Sequence, residues 1–430
     1  MVGSGIVAHE ISSLWEESDG KLAFVDLSGL VKSTAYRSNS GIFNPHLLHA
    51  TAKVGGGSGV WGGKVAIPNR ENWFNEKFLS TAWHDFGNWV ELNQEKEPKT
   101  EFTSQVRDGE ARFNTTKASR FNRIGMISDR HIFLPDLAKL NAKVLEFAAT
   151  AAVGSKLLEF RVGSSGGIIV FDDPSGNRRK IEFRNLLLAA GPVGNAVTLS
   201  LIDSQKVFPI GNHAQVVAGH IKFRFPKRFG LDAYLHHGSP FYSGAIPENG
   251  GNHAVRLVPD MRRVNSRGGL LDTKSRILGN LWRLALLRAG FTDSAGIFAM
   301  ADTSGAGELR IDFKHKSLEV NRIELFFPPE LENEGLQEEI RVLSKHLSKL
   351  AHVVDLTLGK KLKLDDAAHY FGTTPMSDNP VGNQVSNDFK LEGLKNAWSL
   401  GASSFPTGSH GHPTMLSILT AHRAVESMRK

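Results

Sequence analysis

HYFGTTPMSDNP, residues 369–380, and VSNDFKLEGLKNAWSLGASSFPTGSHGHPTMLSILTAHRAVESM, residues 385–428, are the stretches around which the chain is organised. They place two histidine-bearing turns, one with His369 and one with His410 and His412, on either side of a short apolar strand predicted over Asn396–Leu400. Pro413 follows the second turn. It suits the first position of a helix, where its missing N–H has no intrahelical partner to lose. Met415, Leu416, Ile418, Leu419, Val425 and Met428 then recur with the spacing of a largely buried helix. A helix start aimed at the turn would favour a bound group carrying negative charge, with imidazoles beside it. Any one of these histidines taken alone would more often be a satisfied structural residue. Their setting is what singles them out.

At the other end, Gly3-Ser4-Gly5-Ile6-Val7-Ala8 has the Gly-x-Gly-x-x-Ala form of a dinucleotide-binding turn. Gly3 would make the tight turn, Gly5 would let backbone approach a pyrophosphate, and Ala8 would let helix pack on strand. A helix is predicted to run to Glu17, and KLAFVDL, residues 21–27, reads as a strand carrying Asp26. That acid stands 21 residues after Gly5, the separation expected of a carboxylate that accepts from a ribose hydroxyl. Only Met1 and Val2 precede the glycines, so the strand that should open this unit reads as stunted.

A second glycine cluster, TAKVGGGSGVWGG over 51–63, packs six glycines into the nine residues from Gly55. Such density permits positive φ angles and close approach of backbone to a flat ligand. Residues 72–143 carry little signal. Lys156–Arg161, Gly167–Asp172 and Arg178–Phe183 read as three short strands, with Pro174-Ser175-Gly176-Asn177 as a turn between the last two. Asn185–Ala190 is a continuous apolar run of the kind a buried parallel strand needs. It leads into Gly191-Pro192-Val193-Gly194-Asn195 and a helix through Leu201. Further strands are predicted at Gln215–Phe225, Ala254–Val258, Gly296–Ala301, Glu308–Phe313, Leu318–Val320 and Arg322–Phe327. Glu332–Leu358 reads as a long helix, with Leu336, Ile340, Leu343, Leu347, Leu350 and Val354 on one face.

The chain has 430 residues, enough for two or three domains or one large discontinuous one. Its 40% hydrophobic and 22% charged residues are globular values. It contains no cysteine, which excludes disulfides, iron–sulfur clusters, thiol nucleophiles and cysteine zinc sites. No apolar run reaches the length of a membrane-spanning helix. MVGSGIVAHE lacks the basic start and cleavage site of a secretory leader, so a cytoplasmic protein is expected. Most of the net charge of +7 lies between Arg256 and Gly290, where seven arginines and Lys274 face only Asp260 and Asp272. No nucleic-acid motif accompanies that charge, so no nucleic-acid partner is expected. Within it, residues 275–288 mix Arg276, Arg283 and Arg288 with leucines. They read as a core-facing helix with solvated arginines or, more sharply, as an interfacial helix in peripheral contact with a membrane.

Taken in order, these parts resemble the glucose–methanol–choline (GMC) family of flavin oxidoreductases. That family closes with His-x-x-Gly-Thr, Val-x-Asp, Asn-Leu-Tyr-Val, Ser-x-Phe-Pro-Thr and a His/Asn-Pro-Thr helix. The matching residues are His369, Gly372 and Thr373; Val385 with Asp388 offset by one; Asn396–Ser399; Ser404–Thr407; and His412–Thr414. Residues 55–63 resemble the family's Gly-Gly-x-Ser-x-x-Trp-Gly-Gly stretch along the flavin. The resemblance implies an α/β chain with a Rossmann-like FAD-binding fold of two dinucleotide-binding halves and an antiparallel-sheet substrate-binding domain. It implies an FAD-binding domain assembled from residues 1–70, 145–212 and 364–430, and a substrate-binding or cap domain from 71–144 and 213–363. Cofactor contacts would fall to Gly3, Gly5, Ala8, Asp26, Gly56, Gly57, Ser58, Trp61, Gly62, Ala190, Gly191, Gly401, Ala402, Pro413 and Thr414. Val60 stands where covalently flavinylated members carry histidine, so FAD would be bound non-covalently.

The activity implied is oxidation of an alcohol, with a sugar, a lipid-linked sugar or a simple alcohol all open as substrate. His369 would be the general base and His412 would hold the alcohol oxygen, with His410 the weaker claimant to that second role. No metal is called for. Two other readings stay open on sequence alone. A nicotinamide-dependent dehydrogenase could use the same Gly3–Gly5 turn but would leave residues 55–63 and the C-terminal segment unexplained. A degenerate, non-redox nucleotide-binding protein would draw its support from the stunted first strand.

Overall fold

The computed structural model describes residues 1–26, 31, 35–39, 64–66, 126–127, 131–133, 150–152, 156–173, 175–203, 207–228, 242–245, 253–259, 285, 291–303, 307–315, 317–327, 351–356, 365–367, 369–408 and 414–430. At its centre is a run of parallel strands. Leu186–Leu188 pairs with Ala397–Ser399 in the register Leu186↔Ala397, Leu187↔Trp398 and Leu188↔Ser399. All six residues are buried, as a parallel strand covered on both faces must be. Ala23–Val25 pairs in the same sense with Thr150–Ala152.

Residues 1–3 join the two pairs. Val2 forms parallel bridges to both Leu188 and Val25. Its N–H donates to the Leu187 carbonyl at 2.7 Å, and its own carbonyl accepts from Ala189 N–H at 2.7 Å. On the other edge Gly3 N–H donates to Val25 O at 3.1 Å and Val25 N–H to Met1 O at 2.9 Å. The opening strand, read as stunted in the sequence, is therefore short but central, with both of its edges bonded. In order of appearance the strands lie 3-2-1-4-5 across the sheet, the order of a doubly wound dinucleotide-binding fold.

Three helices pack around this sheet. Ile6–Leu14 buries Val7, Ala8 and Ile11. It stops short of the predicted Glu17 because Trp15 is extended, and Glu17–Asp19 forms a separate 3-10 turn. Gly191–Ile202 carries Pro192 in its first turn and buries Val197 and Leu199. Thr414–Arg429 buries Leu416, Ile418, Leu419 and Val425, most of the apolar set predicted for it. The first and last helices are clasped together. His422 Nε2 lies 2.7 Å from Glu10 Oε1 with both side chains largely buried, and Arg429 reaches Asp19 at 2.6 Å and the Leu14 carbonyl at 2.8 Å.

The meander forms as predicted, as Lys156–Gly163, Gly166–Asp172 and Arg178–Phe183. Asp173 closes the turn between the last two strands, its Oδ1 accepting from Ser175 N–H at 3.0 Å and Asn177 N–H at 2.9 Å. Elsewhere the pairing is chiefly antiparallel. One sheet combines Val207–Ile210, Gly307–Phe313 and Val320–Phe326, with Tyr36–Ser38 added in parallel at its edge. Another is built on the 16-residue strand His213–Arg228, flanked by Phe291–Asp302 and Ala351–Leu356, with Asp365–Asp366 at its start.

Two expectations need correction. Leu318 lies in a bend, and the strand begins only at Val320. The long helix predicted over 332–358 does not hold at its end. Residues 351–356 are a strand whose Val353 pairs with Ile221 and Leu356 with Gly219. The β-branched Val353 and Val354 suit an extended chain, and cross-strand pairing decides the outcome over helical spacing. Residues 328–350 lie outside the described set.

Candidate active site

Four predicted turns follow directly on four strands of the parallel sheet, all at its carboxyl edge, where open α/β sheets bind their ligands. The Gly3–Gly5 turn leaves the central strand, Asp26 ends the second, Ala190-Gly191 follows Leu188, and Gly401-Ala402 follow Ser399 and Leu400. Gly3 has φ +116°, and a Cβ there would stand 2.3 Å from the carbonyl carbon of Ala189. Only glycine lets the two crossover turns approach so closely. Asp26, almost fully buried, accepts from Ser4 Oγ at 2.5 Å, which fixes its carboxylate against the first turn. Gly191 has φ +72°, and no described atom lies within 4 Å of where its Cβ would be. Gly401, at φ +76°, would press a Cβ to 3.2 Å from Val7 Cγ2, and its N–H donates to Thr420 Oγ1 at 2.9 Å.

No side chain caps the starts of helices Ile6–Leu14 and Gly191–Ile202, and neither first turn holds an acidic residue. Both starts thus present backbone N–H dipoles that suit a pyrophosphate. A carboxylate for a ribose, glycine turns and uncapped helix starts on one sheet edge are a donor set that fits a dinucleotide such as FAD. Gly5 is the cap residue of the first helix and Ala8 is fully buried, as expected. Thr414 is the first residue of the last helix. Gly56, Gly57, Ser58, Trp61, Gly62, His410, His412 and Pro413 lie outside the described residues, as does the 275–288 segment apart from Ala285.

Asn195, unassigned from the sequence, holds the third and fourth turns together. Its Oδ1 accepts from Ala190 N–H at 2.8 Å. Its Nδ2 lies 2.7 Å from Ser403 Oγ, 3.0 Å from Ser399 Oγ and 3.1 Å from the Leu188 carbonyl. The His369 segment is sewn to the same place. Gly372 N–H donates to Ala402 O at 3.0 Å, Thr374 N–H to Ser403 O at 2.8 Å, and Thr373 Oγ1 to Pro192 O at 2.9 Å. A residue three positions before Gly372 is thereby carried to the carboxyl edge of the sheet.

His369 itself is half-buried and gripped by two consecutive residues from the start of the 213–228 strand. Asn212 Oδ1 accepts its backbone N–H at 3.0 Å, and His213 Nδ1 stands 3.1 Å from its Nδ1. The two rings meet edge to face, with centroids 5.3 Å apart at 89°. Asn212 is fixed in turn, its Nδ2 donating to Asp366 Oδ1 at 2.8 Å and its backbone N–H to Thr303 Oγ1 at 2.7 Å. Tyr370 hydroxyl donates to the other Asp366 oxygen. Burial first, and the Asp366 carboxylate second, raise the Tyr370 phenol above its ordinary value, so it stays a donor.

Reasoning from sequence missed Asn212, His213, Thr303 and Asp366. The signal that was available is local: Asp366 precedes His369 by three residues and Tyr370 by four. Asn212 and His213 depend on pairing with the His369 segment across more than 150 residues, and Thr303 on pairing with Asn212 across 91.

No protein-family model matches the sequence, and no curated protein matches it. Solved structures do match. Pyridoxine 4-oxidase from Mesorbium loti superposes with a TM-score of 0.57 at 12% identity, over 99% of this chain and 98% of that one. Formate oxidase superposes with a TM-score of 0.56 at 11% identity, over 100% of this chain and 97% of that one. At such identities the likeness establishes a shared fold across the full length.

Proposed function

We propose that this chain is a GMC-type flavoenzyme that binds FAD non-covalently and oxidises a CH–OH group. The observation that carries the reading is the placing of His369. Its segment is bonded to the turns after Leu188 and Ser399, the edge where the dinucleotide-binding turns gather. The full-length fold shared with two proteins that are oxidases supports it.

FAD, when bound, would supply the acceptor for the hydride. The residues of the chain do the rest. The Gly3–Gly5 turn and Asp26 hold the nucleotide half, and Ala190-Gly191, Gly401-Ala402 and Thr414 flank the remainder. By the resemblance, residues 55–63 would lie along the flavin, with Val60 in place of a covalent anchor. His369 would take the hydroxyl proton as the carbon gives up hydride, so a neutral alcohol becomes a neutral carbonyl and the positive charge stays on the imidazole. By the resemblance, His412 would donate to the alcohol oxygen and orient it. Residues 71–144 and 213–363 would form the substrate-binding side. This division accounts for every block of the resemblance, which a nicotinamide dehydrogenase would not.

The test is direct. Purified protein, reconstituted with FAD where needed, should show a flavin spectrum and release free FAD on acid precipitation. Anaerobic mixing with a panel of primary alcohols that includes pyridoxine should bleach the flavin. Colourless protein that cannot be reconstituted would overturn the proposal, and flavin recovered on a peptide would overturn its non-covalent part.

A further inference from the structure

His213 is buried to 1% exposure, opens a strand of the antiparallel sheet, and faces His369 nitrogen to nitrogen. Of two facing Nδ1 atoms at 3.1 Å, one must carry a hydrogen and the other a lone pair. The two possibilities have opposite chemical consequences. If His213 donates, His369 is the tautomer protonated at Nε2 and has no lone pair left with which to take a proton. If His369 donates, its Nε2 is the basic nitrogen.

The second arrangement alone survives the reaction. Once His369 has accepted a proton at Nε2 it is an imidazolium, whose Nδ1–H still needs an acceptor. The atom in place is His213 Nδ1. The His213 ring is buried, so a proton placed on it would be poorly solvated. The oxygens of Asp366, on the segment that leads to His369, accept from Asn212 and Tyr370, and Asp302 stands opposite His213 in the ladder.

We infer that His213 is a positioning residue for the base: its Nδ1 accepts from His369 Nδ1–H and so fixes His369 in the tautomer whose Nε2 receives the alcohol proton. This rests on His369 being the base proposed above. Asn212 and His213 divide the work, one holding the backbone of His369 and the other its ring.

Long-range proton–nitrogen NMR of the FAD-loaded protein, with nitrogen-15 histidine and assignment by His369→Gln and His213→Asn, reads both tautomers. The expected spectrum has His369 protonated at Nδ1 and His213 at Nε2. His369 protonated at Nε2 would overturn the inference in the wild type alone. In variants, His213→Leu should release His369 into a mixture of tautomers. It should also slow anaerobic flavin reduction about 10–100-fold, as loss of an orienting partner does elsewhere. His213→Asn, whose carbonyl can still accept, should recover much of that rate. An unchanged His369 tautomer and rate in His213→Leu would refute the positioning role. A shifted tautomer with reduction unaffected in both His213→Leu and His369→Gln would leave the pairing intact and refute His369 as base instead.

Discussion

Replacing Asn195 by alanine removes the side chain that holds the turns after Leu188 and Ser399 together. The size of the effect follows from its partners. The amide nitrogen has two hydrogens, so two of its neighbours, Ser403 Oγ at 2.7 Å and Ser399 Oγ at 3.0 Å being nearest, are served at once. The amide oxygen serves a third, Ala190 N–H at 2.8 Å. Three buried hydrogen bonds at a net worth of about 1 kcal/mol each put the loss near 3 kcal/mol. Other bonds limit the damage: the Leu188 carbonyl keeps Leu400 N–H, and Ser403 Oγ keeps the Leu400 carbonyl. Ala190 N–H has no second acceptor among the described residues, so the turn at Gly191 should loosen most. With an unfolding entropy of roughly 2 cal/mol/K per residue, 3 kcal/mol lowers Tm by about 3 °C if the whole chain melts together, and about 7 °C if half of it does. Calorimetry of purified variants reads this, with Ser403→Ala as a control expected to lose about a third as much. Asn195→Ala melting within about 1 °C of the parent would refute the reasoning, since that is less than one hydrogen bond's worth.

Other outcomes can be set beside it. Gly3→Ala combines a positive φ with overlap against the Ala189 backbone, and should cost at least about 3 kcal/mol, seen as insoluble or FAD-free protein. His369→Ala should keep FAD yet slow flavin reduction in rapid mixing about 10²–10⁴-fold. His412→Asn should be milder than His412→Ala, which loses the oxyanion donor at roughly 10²-fold or more, with His410→Ala nearly silent. Tyr370 and Tyr36 both have phenols raised by burial, so folding stability is intact below about pH 10 and falls above it as the unfolded chain sheds protons first. Tyr370→Phe should flatten that alkaline decline in urea titrations, and an unchanged slope would exclude Tyr370 as a contributor. Changing Arg276, Arg283 and Arg288 together to Gln should weaken salt-sensitive binding to anionic liposomes without altering flavin content, if 275–288 meets a membrane surface.

The sequence disclosed most where a residue's role is local. The glycines at 3, 191 and 401 were identifiable because positive φ and close packing leave a composition trace, and the meander because its strands and turn are contiguous. The opening strand is as short as it reads in the sequence, but its central place is not legible there, because it comes from neighbours at Val25 and Leu188. Residues 351–356 misled because leucines and valines fit a helical stripe as well as a strand, until Ile221 and Gly219 supply the pairing. His369 was found through its motif. Its partners Asn212 and His213 were not, because nothing near them in the chain reports a contact made 156 and 157 residues away.

The clasp between the first and last helices sets the order in which this protein can be made. Val2 must wait for Leu188 to be synthesised before its second edge is bonded, and Glu10 waits 412 residues for His422. During translation the helix Ile6–Leu14 therefore emerges about 400 residues before the helix that clasps it. Contacts so remote in sequence are slow to close, and the exposed apolar surface invites aggregation meanwhile. Slower elongation or chaperone capture during synthesis should accordingly raise the yield of soluble protein, and a chain stalled before residue 397 should remain protease-sensitive at its N-terminal end.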